Sequence, residues 1–233
     1  MKRIKLFGFI LVLLASAEVA VLAQDSTYVS NEYAKAMAVY QRAQRYNDAA
    51  LTKQALVDMS ILAPRDTGIL RSLAELYYNN QQYVSSAMAA ADITRIYPNS
   101  LVGIEIQALS YENLRLYDKA LEQYEKLWLT TDDNNVLYQM AYLQYSIKRY
   151  TEAITNIDIL ATKITDESTV TLSKSDGNVQ EIKFSAALKN LKGLVFSAQG
   201  NKEEARKLFN EALAINPDFD AAKSSLAELD NED

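Results

Sequence analysis

Small and aromatic residues recur along this chain at a nearly fixed interval. Ala74, Ala108 and Ala141 follow one another at 34 and 33 residues, and Tyr83, Tyr117 and Tyr150 keep the same steps. Tyr77 and Tyr111 are 34 apart, as are Pro64 and Pro98, while Ala120–Ala153 and Tyr124–Ile157 repeat at 33. Such a period is that of a helix–turn–helix unit. One short helix pair cannot bury its own apolar stripe, so successive pairs must stack. The pattern predicts an all-α chain with units at about 33–66, 67–100, 101–133, 134–165 and 186–217. Residues 218–230 then read as a last helix, starting at Asp218 or Asp220, that covers the final apolar face.

One stretch breaks this pattern. Residues 169–174 and 179–184 alternate and are rich in β-branched and apolar types, with the turn signal Asp176-Gly177 between them. A two-residue turn would set Leu172 opposite Glu181 and Val170 opposite Lys183, mixing charge with apolar groups on one face. A three-residue loop, Asp176-Gly177-Asn178, sets Leu172 opposite Ile182, Val170 opposite Phe184 and Thr171 opposite Lys183, and so makes one coherent apolar face. The second register is therefore expected for a hairpin insertion over 168–185, its apolar face packed on neighbouring helices. It reads either as a tolerated insertion or as a docking edge for a partner strand.

The segment GNKEEARKLFNEALAINP, with Gly193 before it, sets Ala205, Phe209, Ala212 and Pro217 at 12, 16, 19 and 24 residues from that glycine. This spacing resembles the tetratricopeptide repeat. The resemblance implies a right-handed α-solenoid of about five helix pairs, small residues where two helices cross, and an aromatic between units. Some positions depart from it. Lys189 and Lys192 stand where the family has apolar residues, Asp132 replaces a terminal proline, and Thr52 replaces an alanine in the first unit, where only Ala36, Val39, Ala43 and Pro64 fit. Family members bind partners in a concave groove lined by the first helix of each pair. By that resemblance the groove positions here are Arg71, Glu75 and Tyr78, then Glu105, Leu109 and Glu112, then Tyr138, Tyr142 and Tyr145. The implied surface is acidic near its middle and rich in tyrosine toward the fourth unit. The basic and asparagine-bearing clamp that some members use for a terminal carboxylate is not recognisable.

The first residues add a location. Lys2, Arg3 and Lys5 precede an uncharged run from Leu6 to Ala17, and Val21-Leu22-Ala23 follows. This is the layout of a signal peptide cleaved after Ala23, and the apolar run is short for a bilayer-spanning anchor. The expectation is a periplasmic or secreted protein, residues 24–233, with no stable membrane insertion. Removing residues 1–23 leaves 21 basic and 29 acidic residues, a net charge of −8. An acidic chain of this kind points away from nucleic acid and from anionic lipid.

Composition also narrows the chemistry. The chain has no histidine and no cysteine, which removes Ser-His-Asp and Cys-His arrangements and thiolate or imidazole metal sites. Six scattered glycines form no phosphate-cradling loop. Paired carboxylates are not forbidden, but Glu122, Glu125, Glu203 and Glu204 fall at solvent-facing repeat positions, and Asp132-Asp133-Asn134 lacks the spacing of a calcium loop. The reading is a non-catalytic scaffold or adaptor without cofactor or metal, whose partner is a protein or peptide. Alternatives are a carrier of a glycan or small ligand in the tyrosine-rich groove, and a module that self-associates into a homo-oligomer.

Overall fold

The computed structural model describes residues 26–174 and 176–231. The leader, with its expected cleavage after Ala23, lies outside the described residues. Eleven helices and one hairpin make up the described chain, which falls into two compact units, residues up to Ile106 and residues from Gln107.

The first unit begins with α1 (26–45) and α2 (Ala49–Leu62), followed by α3 (Thr67–Asn79) and α4 (Tyr83–Ile96). It ends within α5 (Leu101–Asn113). Asp48 and Asp66 cap α2 and α3 by accepting from N–H groups of the first turn. The core between α1, α2 and α3 gathers Ala36, Leu56, Met59, Ile69 and Leu73. Ala74, Ala89, Ala90 and Ile106 form the next layer. Ser86, fully buried where the later pairs carry Ala120, Ala153 and Ala205, donates to the carbonyl of Ala74 at 2.9 Å, so its hydroxyl is satisfied inside the helix crossing.

The second unit continues with α6 (Tyr117–Thr131), α7 (Asn134–Ser146) and α8 (Tyr150–Lys163). The hairpin β1 (Thr169–Ser173) and β2 (Val179–Lys183) comes next, then α9 (Phe184–Ala198), α10 (Lys202–Ile215) and α11 (Asp220–Asn231). Leu229 of α11 packs on Ala205 and Phe209, closing the apolar face of the last pair. Both lysines that depart from the repeat pattern are paired: Lys189 bonds Glu211 of α10, and Lys192 bonds Asp158 of α8 at 2.7 Å. Among the described residues no helix is long and apolar enough to cross a membrane.

Each pair turns through three residues, the middle one left-handed: Asn47, Gln81, Arg115, Lys148 and Gly200, with φ between 55° and 81°. In each turn the following N–H reaches back to the carbonyl five residues earlier, as Gln82 does to Tyr77 at 2.8 Å and Leu116 to Tyr111 at 2.9 Å. This is the Schellman closure of a helix end, which glycine fits best. Only the last pair carries glycine there.

The hairpin differs from its expected register. Observed partners are Val170↔Ile182, Thr171↔Glu181 and Leu172↔Gln180. A three-residue loop is retained, but it lies one position earlier, between Lys174 and Asn178, whose N–H and carbonyl bond at 2.7 Å. The reason is Gly177 (φ 83°), which takes the left-handed last place of the loop, a place the expected register assigned to Asn178. Moving the loop by one residue moves the register by two. A shift of two keeps every side chain on its face, so Val170 and Ile182 remain buried together.

Candidate functional site

The residues expected to line a partner surface divide between the two units. In the first, Arg71 Nε bonds Glu75 Oε1 at 2.7 Å across one turn of α3, and both side chains stay about half exposed. Their charges neutralise one another locally. Tyr78 is half-buried and lies edge-on to Tyr83, with ring centroids 5.4 Å apart. Glu105 is exposed on α5.

In the second unit the expected set is not one surface. Leu109 and Glu112 are half-buried. Glu112 accepts the Tyr124 hydroxyl on Oε2 at 2.7 Å and the Gln139 amide on Oε1 at 2.6 Å, so this carboxylate ties α5, α6 and α7 together. Tyr138 is buried, its ring edge-on to Phe184 at 5.6 Å, and burial pushes its phenol well above the ordinary tyrosine range. It is a core residue and not part of the surface. The physical reason is its neighbour: Phe184, the first residue of α9, covers this end of the α7 face.

Tyr142 and Tyr145 remain at the surface of α7. Tyr142 is 44% exposed, and its ring lies 6.3 Å from that of Tyr145, which lies 6.4 Å from Tyr150. Tyr145 is half-buried and its phenol is raised, first by burial and then by Tyr142, Tyr150 and Glu228. Tyr142 also borders a cavity of about 290 Å³ with Glu112, Arg115 and Ser146. Three rings in sequence give an amphipathic strip that is apolar on its faces and polar at its hydroxyls.

A second concavity, about 490 Å³, lies between α6 and α8. Asp118, Glu122, Glu125 and Trp128 follow one stripe of α6, and Arg149 reaches across to Asp118 at 3.0 Å while also lying 3.7 Å from Glu152. The indole N–H of Trp128 is buried there without a hydrogen-bond partner. The concavity depends on which side of α6 meets α8, which no single helix pattern records.

Residues 186–219 match the family model of the tetratricopeptide repeat. They cover α10, most of α9 and the turn into α11, the segment with Gly193, Ala205, Phe209 and Pro217. That segment is a tetratricopeptide repeat. The fold of the chain is shared with solved structures at low sequence identity. A tetratricopeptide repeat protein from Parabacteroides merdae aligns with TM-score 0.65 and 15% identity over 85% of this chain and 72% of that one. The MamA protein aligns with TM-score 0.62 and 12% identity over 81% and 93%. YrrB, described as having an unusual peptide-binding site, aligns with TM-score 0.61 and 12% identity over 80% and 87%. No curated protein matches this chain in sequence.

Proposed function

We propose that this protein is a non-catalytic scaffold that holds a segment of another protein against the tyrosine strip of α7 and the start of α8, and that it works in the periplasm after loss of residues 1–23. The observation that carries the reading is the run Tyr142–Tyr145–Tyr150, with the first ring open to solvent and successive rings in contact. Tyrosine gives large contact area with few rotatable bonds and a hydroxyl for a partner's backbone. Rings already leaning on one another lose little freedom when a segment covers them, which lowers the entropic cost of binding. A peptide-binding site on the structurally similar YrrB is consistent with this use of the fold. The basic leader followed by an uncharged run supports export.

The test is in-cell crosslinking of wild type and of Tyr142→Ala/Tyr145→Ala, a pair that leaves buried Tyr138 in place. Wild type should capture a defined protein that the double variant loses at unchanged helical content by circular dichroism. Equal capture by both, or capture of nothing but a soluble glycan, would overturn the assignment. Mass spectrometry of the exported chain should give an N-terminus at Gln24; an intact leader would overturn the location.

A further inference from the structure

The two edges of the hairpin are not equivalent. Phe184 N–H donates to Ser168 O at 2.8 Å, and Lys174 N–H to Asn178 O at 2.7 Å. With the register Val170↔Ile182, the even-numbered residues therefore bond across the hairpin, and the odd-numbered ones turn their N–H and C=O groups outward. On β2 the outward edge is closed at its Lys183 end, while Val179 and Glu181 stay exposed. Lys183 N–H donates to Asn216 Oδ1 at 3.0 Å, and the Gln180 amide bonds the Asp218 carbonyl at 2.6 Å and the Asp220 N–H at 3.2 Å. On β1 the outward residues are Thr169, Thr171 and Ser173. All three are exposed, and among the described residues no backbone bond reaches that edge.

Exposed edges in natural proteins are blunted by lysine, proline, a bulge or an inward charge. β1, Thr-Val-Thr-Leu-Ser, has none of these within its five residues. Its pattern is also symmetric by chemical class: hydroxyl, apolar, hydroxyl, apolar, hydroxyl.

We propose that β1 pairs with β1 of a second copy, antiparallel about a two-fold axis through Thr171, to give a four-stranded sheet. In that arrangement Thr171 exchanges both backbone bonds with its counterpart. Thr169 lies opposite Ser173, and Val170 lies opposite Leu172, so hydroxyls meet hydroxyls and apolar groups meet apolar groups. Lys174 of one copy falls beside Glu167 and Ser168 of the other, but within one chain Lys174 already pairs with Asp176 at 3.4 Å and Glu167 with Lys183 at 3.1 Å, so the backbone edge and the matched side-chain classes carry the pairing. A two-fold contact needs this self-complementarity, residue i meeting j and j meeting i. An unrelated strand would match the backbone edge but has no reason to match all of these side chains, which is why a second copy is the occupant. Five paired residues make a small interface, so a weak dimer with a dissociation constant on the order of 10–1,000 μM is expected. This interface is separate from the tyrosine strip, and either can fail without the other.

The experiment is sedimentation velocity of the purified protein from about 1 μM to 1 mM, with Thr171→Lys and Thr171→Pro. Both substitutions fall on the outward edge, where the hairpin's own ladder does not use the Thr171 N–H. Wild type should shift toward twice its mass with rising concentration, and both variants should lose the shift. Because the chain has no cysteine, Thr171→Cys gives a second readout. Under mild oxidation it should form a covalent dimer at least tenfold faster than Glu181→Cys, which lies on β2 and one strand further from the axis. A wild type that stays monomeric at 1 mM, a dimer that survives both Thr171 variants, or equal crosslinking at 171 and 181 would overturn the proposal. So would a monomer that instead takes up an added extended peptide along β1.

Discussion

A β-carbon built on Gly193 would stand 2.5 Å from Cε1 and 2.8 Å from Cδ1 of Phe209. Phe209, 1% exposed, fills the space that a side chain at 193 would need. The corresponding crossings in the second unit pair Ala108 with Tyr124 and Ala141 with Ile157. The position that accepts alanine elsewhere is thus matched to a different second residue here. Gly193→Ala should destabilise the protein by about 1–3 kcal/mol through overpacking, outweighing the roughly 1 kcal/mol of helix propensity that alanine brings. Gly193→Ala/Phe209→Ile should recover part of that loss. Urea titration of the three proteins measures it, and a neutral or stabilising single variant would show that the ring moves aside.

The left-handed turn residues offer a stabilising change. Lys148 holds φ 64° at the centre of the α7–α8 turn, a conformation that costs a residue with a β-carbon roughly 1–2 kcal/mol. Lys148→Gly removes that strain at some cost in unfolded-chain entropy. The net expectation is a gain of about 0.5–1 kcal/mol, and Gly200→Ala should lose a similar amount. Thermal and urea midpoints of the two variants should move in opposite directions.

Tyr138 and Tyr142 lie four residues apart on α7 but in opposite environments. Tyr138→Ala removes a buried ring packed on Phe184 and should cost about 3–5 kcal/mol. Tyr142→Ala should change stability by less than about 0.5 kcal/mol. Equilibrium unfolding distinguishes them, and similar losses would place both rings in the core.

The Lys189–Glu211 pair gives a pH dependence. Its hydrogen bond to Lys189 is the largest influence on Glu211 and lowers its carboxyl below the usual range. A depressed carboxyl stabilises the fold above its unfolded value, about 4.3, and that contribution is lost as pH falls through the lowered value. Since both side chains are more than a third exposed, solvent screening holds the effect below about 1 kcal/mol. Glu211→Gln should flatten the stability profile between about pH 5 and pH 3 while costing little at pH 7; an unchanged profile would mean that the pair is not formed in solution.

The helix pairs were legible because the interval between buried small residues is long and repeated. Ala74, Ala108, Ala141, Ala120, Ala153 and Ala205 are all fully buried, and a small side chain recurs wherever two helix axes cross closely. The left-handed turns were not legible. Gln81, Arg115 and Lys148 carry no local mark of their φ, which the closed turn imposes on whichever residue stands there, whereas Asn47 is of a type that tolerates it. Glu112 likewise gave no sign that its two oxygens would be taken by Tyr124 and Gln139, since those partners come from two other helices.

The sequence by itself therefore determined the elements: an all-α repeat of helix pairs, and a hairpin with Val170, Leu172 and Ile182 on one face. The first follows from the recurrence of small and aromatic positions at 33 and 34 residues, the second from the period of 2 along a strand. Only the tertiary structure decided which members of a face stay open. Tyr138 is covered and Tyr142 is not, because Phe184 arrives beside one and not the other. The register turns on a local residue, Gly177, which takes the left-handed place, but the tertiary structure left the β1 edge open while Asn216 took the Lys183 N–H on the other edge. Which ring and which edge stay open depends on contacts between segments far apart in sequence, and a local pattern carries no information about which segment will arrive.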